Sequence, residues 1–177
     1  VELVEGIAGG RYSEGFYLRN GEIGNSSIYI APFFKRTSCN NSIVWADRAW
    51  SQAHVSMPPA VLKNNSTVAI ETSVKLADDM IEAISRAQSE RVDLLDMVNR
   101  LKRAHNLTDD VVGTITIGTE GQQTRMGLVN GITYAAHTIY GDVNPAARVT
   151  LESLGARLLM EPKRVYAALP STADIYE

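Results

Sequence analysis

The feature that most constrains this chain is a change of hydrophobic period part-way along it. From Glu14 to Phe34 apolar side chains alternate with polar ones: Phe16 and Leu18 against Tyr17 and Arg19, then Ile28 and Ile30 against Tyr29. A period of two is that of a strand with one face buried. Beyond about Asn65 the spacing becomes helical. Val74, Ala77, Ile81 and Ile84 form one stripe, with Glu71, Lys75, Asp78, Asp79, Glu82 and Arg86 off it, and Val92, Leu95, Val98 and Leu101, with Leu94, form a second. The switch predicts an α+β chain, an N-terminal antiparallel β-hairpin or meander followed by a helical half of four or more helices.

Within the β region Asn20-Gly21 supplies the positive φ of a turn, and Glu22 to Ser27 lengthen the loop beyond a two-residue hairpin. Pro32 cannot donate to a ladder, so the second strand is expected to end there or to lie at an edge. Arg36 to Cys39 and Ile43 to Ala46 bracket Asn40-Asn41-Ser42 as another turn. The stretch from Asp47 to Asn65, with Met57-Pro58-Pro59, reads as an irregular connection, and Asn65 or Ser66 as the cap of the first helix. Residues 67–104 fit one long helix or two joined near Gln88-Ser89.

Further on, Asn106 ends a helix and Thr108-Asp109-Asp110 starts another, because short side-chain oxygens and early carboxylates suit a helix N-terminus. The β-branched run Thr114 to Ile117 works against that helix. Gln122 to Ile139 reads as helical, with Gly127 and Gly131 spaced for close approach of a neighbour. Asn144-Pro145 caps a helix running to about Met160, and Glu161-Pro162 starts one more. The whole reads as a single α+β domain over 1–177, with loosely ordered ends at 1–13 and 170–177.

Composition narrows the function classes. With 177 residues, 45% of them hydrophobic, the chain can bury a core without metal or disulfides, and a lone cysteine, Cys39, can form no internal bridge. A net charge of -3 restricts any nucleic-acid site to a local patch. No apolar stretch reaches the roughly 18 to 20 residues of a membrane span, which points to a cytoplasmic protein. The N-x-S/T matches at Asn25, Asn40, Asn64, Asn65 and Asn106 read as turn composition rather than glycosylation.

Few residues carry a reaction. His54, His105, His137 and Cys39 show no metal-ligand spacing, so no metal or other cofactor is expected. Cys39 sits in a strand-turn context and reads as a small buried residue. The pairs Asp78-Asp79 and Asp109-Asp110 are adjacent, so on a helix their carboxylates diverge by about 100° and share no proton. Gly118 to Gly121 reads as a flexible loop, since no P-loop lysine follows it. Arg100, Lys102 and Arg103 suit the negative end of a helix. The spacing thus predicts no catalytic residues and no enzyme.

What stands out is the face of the hairpin opposite the core. Alternation places Tyr17, Arg19 and Tyr29 on it, with Lys35 and Arg36 just after the second strand. Rings that stack on bases, interleaved with cations that neutralise phosphates, are what sequence-tolerant binding of single strands needs.

Two segments resemble the phage and plasmid protein family catalogued as domain of unknown function 932. One is Asn20-Gly21-Glu22-Ile23-Gly24, followed by Pro32, Arg36, Cys39 and Asn41; the other is Gly127-Leu128-Val129-Asn130-Gly131-Ile132-Thr133. The likeness departs at Gly21, where the family has Ser, and at Ser42, where it has Gly. It implies structural roles for Asn20, Glu22, Gly24, Cys39, Asn41, Gly127, Asn130 and Thr133. It implies as well that the chain matches the later part of a longer protein, with a further N-terminal region. Taken with the hairpin face, it leads to the expectation of a non-enzymatic phage or mobile-element protein that binds or anneals single-stranded nucleic acid as a homo-oligomer in the bacterial cytoplasm. The alternative is an assembly protein of a phage particle that uses the same surfaces for protein contacts.

Overall fold

A computed structural model describes residues 2–5, 11–19, 27–36, 42–44, 50–53 and 59–171; side chains are described from Asp79 onward and at scattered earlier positions of the first helix. The chain divides into two compact units, Val1–Ile81 and Glu82–Glu177.

In the first unit the extended segments are β1 (Glu2–Glu5), β2 (Arg11–Arg19), β3 (Ser27–Arg36), β4 (Ser42–Val44) and β5 (Trp50–Ala53). The β2 and β3 backbones run antiparallel, with Leu18 opposite Ile30 and Phe16 opposite Pro32. β3 continues through Pro32 to Arg36. On its other side β5 pairs with Ser27 to Ile30 and β4 with Phe33 to Lys35. Pro32 thus falls between those two ladders, where a missing N–H costs the least. Residues 20–26, which would hold the expected turn, lie outside the described residues, as does the turn expected at Asn40-Asn41-Ser42 up to its last residue.

Helix α1 spans Pro59–Ser89, starting earlier than the cap expected at Asn65 or Ser66. Pro59 is its first residue, a position where the fixed φ suits a helix and the missing N–H would have had no partner. The connection expected from Asp47 to Asn65 therefore contains both β5 and the first turns of α1.

From Glu82 onward the described residues are all-helical: the end of α1, then α2 (Leu94–His105), α3 (Asp109–Gly118), α4 (Arg125–Ala135) running into a π-helical turn (Ala136–Tyr140), α5 (Pro145–Met160) and α6 (Pro162–Ala168). Residues 67–104 form two helices. The break at Glu90 to Asp93 has two causes. Arg91 pairs as an antiparallel bridge with Thr124, and Val92 N–H donates to the Gln123 carbonyl at 3.2 Å; then Asp93 caps α2, accepting from Asp96 N–H at 3.1 Å.

Capping accounts for most other boundaries. Thr108 accepts from Val111 N–H at 3.4 Å, Thr124 from Gly127 N–H at 3.1 Å and Asn144 from Ala147 N–H at 3.1 Å. Asn106 closes α2 in the left-handed conformation, φ 51°, which asparagine tolerates. The helix at Thr108 forms despite its β-branched run, because Val111 and Ile115, one turn apart, are both buried. α4 starts at Arg125 rather than Gln122, since Gln123 is taken by the bridge to Val92.

The expected stripes shift. In α1, Ala83, Ile84 and Ala87 are buried while Ile81 is only partly so. In α2 the buried residues are Met97, Val98 and Leu101, and Leu95 is 76% exposed. With Leu94 as the first helical residue, Met97, Val98 and Leu101 fall on one face and Leu95 turns off it.

α4 is the centre of this unit. Every residue from Arg125 to Ala136 is buried except Asn130 and Tyr134. It packs against α3 through Gly131, where a Cβ would lie 2.3 Å from the Ile115 carbonyl oxygen, so the two backbones meet directly. α5 meets α4 through a second glycine, Gly155, whose Cβ would stand 3.2 Å from Thr133 Cγ2.

Candidate functional site

The expected site lies on β2 and β3, and there the backbone register is what the structure supplies. Arg19 stands opposite Tyr29 and Tyr17 opposite Ala31, while Lys35 and Arg36 stand opposite Ser13 and Tyr12. Lys35 and Arg36 are thus inside β3, not after it. Counting by twos puts Tyr17, Arg19, Tyr29 and Lys35 in one set of register positions and Arg36 in the other. The side chains of all five lie outside the described residues.

Of the residues singled out by the family likeness, Asn20, Glu22, Gly24, Cys39 and Asn41 also lie outside them. Gly127, Asn130 and Thr133 are in α4. Gly127 receives the cap of Thr124, and a Cβ there would meet the Gln122 carbonyl oxygen at 2.2 Å. The Thr133 hydroxyl, buried, donates to its own helix at the Val129 and Asn130 carbonyls, both 3.1 Å away. The late motif therefore serves packing and helix ends.

Three features of the helical unit, two buried polar clusters and one open groove, were not revealed by the sequence. The first is Arg125, 3% exposed. Its Nε donates to Glu90 Oε2 at 2.8 Å, and its Nη1 to the carbonyls of Leu158 at 3.2 Å and Leu159 at 2.5 Å. One guanidinium thus ties the end of α1 and the last turn of α5 to the start of α4, satisfying carbonyls that have no helical partner. Tyr166 on α6 joins by donating its hydroxyl to Glu90 Oε1 at 3.5 Å. Burial and the nearby Glu90 charge push the Tyr166 hydroxyl up to about 12, against a smaller opposite pull from Arg125.

The second is Glu152, 1% exposed, whose Oε1 lies 2.9 Å from His137 Nε2 and 3.8 Å from Arg148 Nε. A buried carboxylate needs such partners. Arg148 Nη1 also donates to the Gly141 carbonyl at 3.3 Å and to Asp142 Oδ1 at 3.2 Å. The cluster anchors the π-helical turn and the loop after it, where Gly141 has φ 43°. His137 belongs here, so its role is to hold a carboxylate.

The third is a groove of about 540 Å³ between α2 and α3, lined by Leu95, Val98, Val112 and Thr116, with Asp93 at one end. Leu95 and, on α3, Ile117 are 76% and 70% exposed. The basic run of α2 is used piecemeal. Lys102 Nζ lies 2.5 Å from Asp109 Oδ1, holding that carboxyl below its usual range, and Arg100 Nε donates to the Pro170 carbonyl at 2.8 Å. Gly118 ends α3, and Thr119 to Gly121 is a tight turn, Gly121 at φ 73° with its N–H on Thr119 Oγ1 at 3.3 Å.

No family model, curated protein or solved structure matches the chain. Among the described residues no three His, Cys, Asp or Glu side chains are grouped to hold a metal ion, and no helix is long and apolar enough to cross a membrane.

The sequence held no signal for Arg125 and, for Glu152, only Arg148 four residues before it. Partners of Arg125 stand 33 to 35 residues away, and those of Glu152 include a histidine on another element. Such pairs leave no local spacing to read.

Proposed function

We propose that the chain is a non-enzymatic protein of a phage or mobile element, similar to the family catalogued as domain of unknown function 932, that binds single-stranded nucleic acid as an oligomer in the host cytoplasm. In this reading the first unit is an antiparallel β-meander whose β2–β3 hairpin carries Tyr17, Arg19, Tyr29 and Lys35 on one set of register positions, with Arg36 as a cation on the other set, and the second unit is helical, which makes an α+β protein. The observation that carries it is the register, which sets Arg19 directly opposite Tyr29 and keeps Tyr17 two positions along the same strand. Cross-strand neighbours share one face of a sheet, so this register supports a ring-and-cation surface.

The test is retention of a labelled oligonucleotide at two salt concentrations. Phosphate binding weakens steeply with salt. Changing Tyr17 and Tyr29 together to Ala removes two stacking platforms and should weaken binding about tenfold or more, since one stacked base contributes about 1–3 kcal/mol. Arg19→Ala or Lys35→Ala should lower the salt slope by up to about one unit each. Wild-type protein that shows no salt-sensitive retention would remove the reading.

The α2–α3 groove favours a second reading, a particle-assembly protein. Leu95, which lines it, and Ile117, elsewhere on α3, are exposed apolar side chains that suit a protein contact rather than a phosphate site. Under that reading Leu95→Ser abolishes self-association or partner binding and leaves oligonucleotide retention unchanged.

A further inference from the structure

Helix α6 is thinly held. It has 7 residues and no side-chain cap at its start, and of its own side chains only Val165 is buried, whereas α5 before it buries eight residues. Leu169, just after α6, is a second apolar anchor. Both border a cavity of about 300 Å³, together with Leu154 of α5 and with Ala104 and His105 of α2, so packing around α6 leaves space unfilled.

What fastens the segment is an arginine on α2. Arg100 Nε donates to the Pro170 carbonyl at 2.8 Å, and its Nη2 donates to the Tyr166 carbonyl at 3.4 Å. The Tyr166 hydroxyl adds a 3.5 Å bond to Glu90. Arg164 pairs locally, with Glu161 at 3.0 Å, and gives no tie to α2.

We propose that α6 with the residues through Pro170 is a latch that opens as a unit while the rest of the helical unit stays folded, and that protonation of His105 favours the open state. A segment with few buried apolar contacts and a separate fastening opens at lower free energy than the core around it. Opening frees Val165 and Leu169 and uncovers Leu154, so the latch controls access to an apolar surface.

His105 is placed to sense that opening. The charged groups that line the cavity with it are Arg157 on α5 and, around the start of α6, Glu161 and Arg164, whose charges offset each other in their own pair. On its own helix Lys102 is paired with Asp109, and Arg103 is engaged as well. Partial burial first, and the Arg157 charge second, hold the imidazole below its ordinary value of 6.5. When α6 lifts, water enters beside His105, both effects weaken, and the ring takes up a proton more readily. Opening therefore grows as pH falls through the range near 6.5 where the exposed ring titrates. None of these residues belongs to the β2–β3 surface or lines the α2–α3 groove, so the latch is independent of both readings of function.

The experiment is amide hydrogen exchange of the full chain, read by mass spectrometry over α5 and over 161–170 separately, with protection taken relative to the unstructured rate at each pH. The α6 amides should be at least about tenfold less protected than those of α5. Arg100→Gln should lower α6 protection by about tenfold and leave α4 and α5 unchanged, because the bonds lost are those to Pro170 and Tyr166. Should that variant unfold, Ala104→Met fills the cavity from the α2 side with a flexible apolar chain and should raise α6 protection. Between about pH 8 and about pH 5 that protection should fall in the wild type and stay level in His105→Gln. Equal protection of α6 and α5 in the wild type, or a folded Arg100→Gln protein in which both fall together, overturns the latch. A pH response that His105→Gln retains overturns its trigger.

Discussion

Helices α2 and α4 have similar lengths, 12 and 11 residues, yet they are built on opposite plans. α2 is amphipathic and lies at the border of its unit, burying Met97, Val98 and Leu101 and exposing Leu95. α4 is buried on nearly all sides and begins with a charged residue, Arg125, that is itself inside. A peripheral helix needs one apolar stripe, and its ends can be satisfied by local caps and water. A central helix must meet neighbours in every direction, so it uses small residues where backbones touch and a long polar side chain where other helices end against it. Errors in α4 should therefore propagate across the unit, whereas those in α2 should stay local.

The largest effect should come from Arg125→Ala. It leaves the Leu158 and Leu159 carbonyls without their donor and Glu90 without its cation, a loss of about 3 kcal/mol or more. Chemical denaturation read by circular dichroism measures it. Arg125→Lys should recover only part, because an ammonium cannot fork between a carboxylate and two carbonyls. An Arg125→Ala protein as stable as wild type would break the contrast between the two helices.

Next comes a pair of glycines. Gly131→Ala forces a methyl against the Ile115 carbonyl oxygen and should cost about 1–3 kcal/mol. Gly113→Ala, in α3 with nothing within 4 Å of the new Cβ, should instead stabilise by about 0.5–1 kcal/mol through helix propensity and reduced chain entropy. Opposite signs in thermal melts of the two variants sharpen the case that α4 is defined by backbone contact.

Alkaline pH probes the same network through Tyr166. Its hydroxyl is raised in the folded protein to about 12 from 10.0. The folded state therefore holds the proton more tightly than the unfolded one. Stability from this group is present in full below pH 10, declines as pH rises above it, and is lost by about pH 12. Tyr166→Phe should flatten that part of the curve, and an unchanged slope would separate Tyr166 from Glu90.

The smallest effects belong to α2. Asp93→Ala removes the cap on Asp96 N–H and should cost about 1 kcal/mol. Leu95→Ser should change stability by no more than about 0.5 kcal/mol, since its side chain is mostly in water. A larger loss from Leu95 would mean that α2 is a core helix after all.

Legibility in the sequence followed the same division. Caps and breakers are local, and Thr108, Asn106, Asn144 and Pro145 marked the helix ends that the structure has. Stripes are less legible. Leu95 keeps a three-residue spacing with Val92 and Val98, which suggests a shared apolar face, but the helix starts only at Leu94 and Val92 lies outside it, so the spacing does not describe one face. The start of α1 at Pro59 is not legible in the sequence, because a proline pair reads as a loop unless the helix that follows is known. The candidate residues of β2 and β3 have side chains outside the described residues, and the network of Arg125, Glu90 and Tyr166 left nothing to read along the chain, since its members come from separate elements.

By itself, then, the sequence determined the helical character of the chain beyond Glu82, most of the helix ends there, and Gly131 as a place where α4 admits a neighbour, because each depends on residues within a few positions of one another. Tertiary structure decided which neighbour fills the space at Gly131, which carbonyls Arg125 satisfies and that Glu152 is buried beside His137. Those outcomes depend on groups tens of residues apart whose meeting is set by the packing of whole helices, and no local pattern records them.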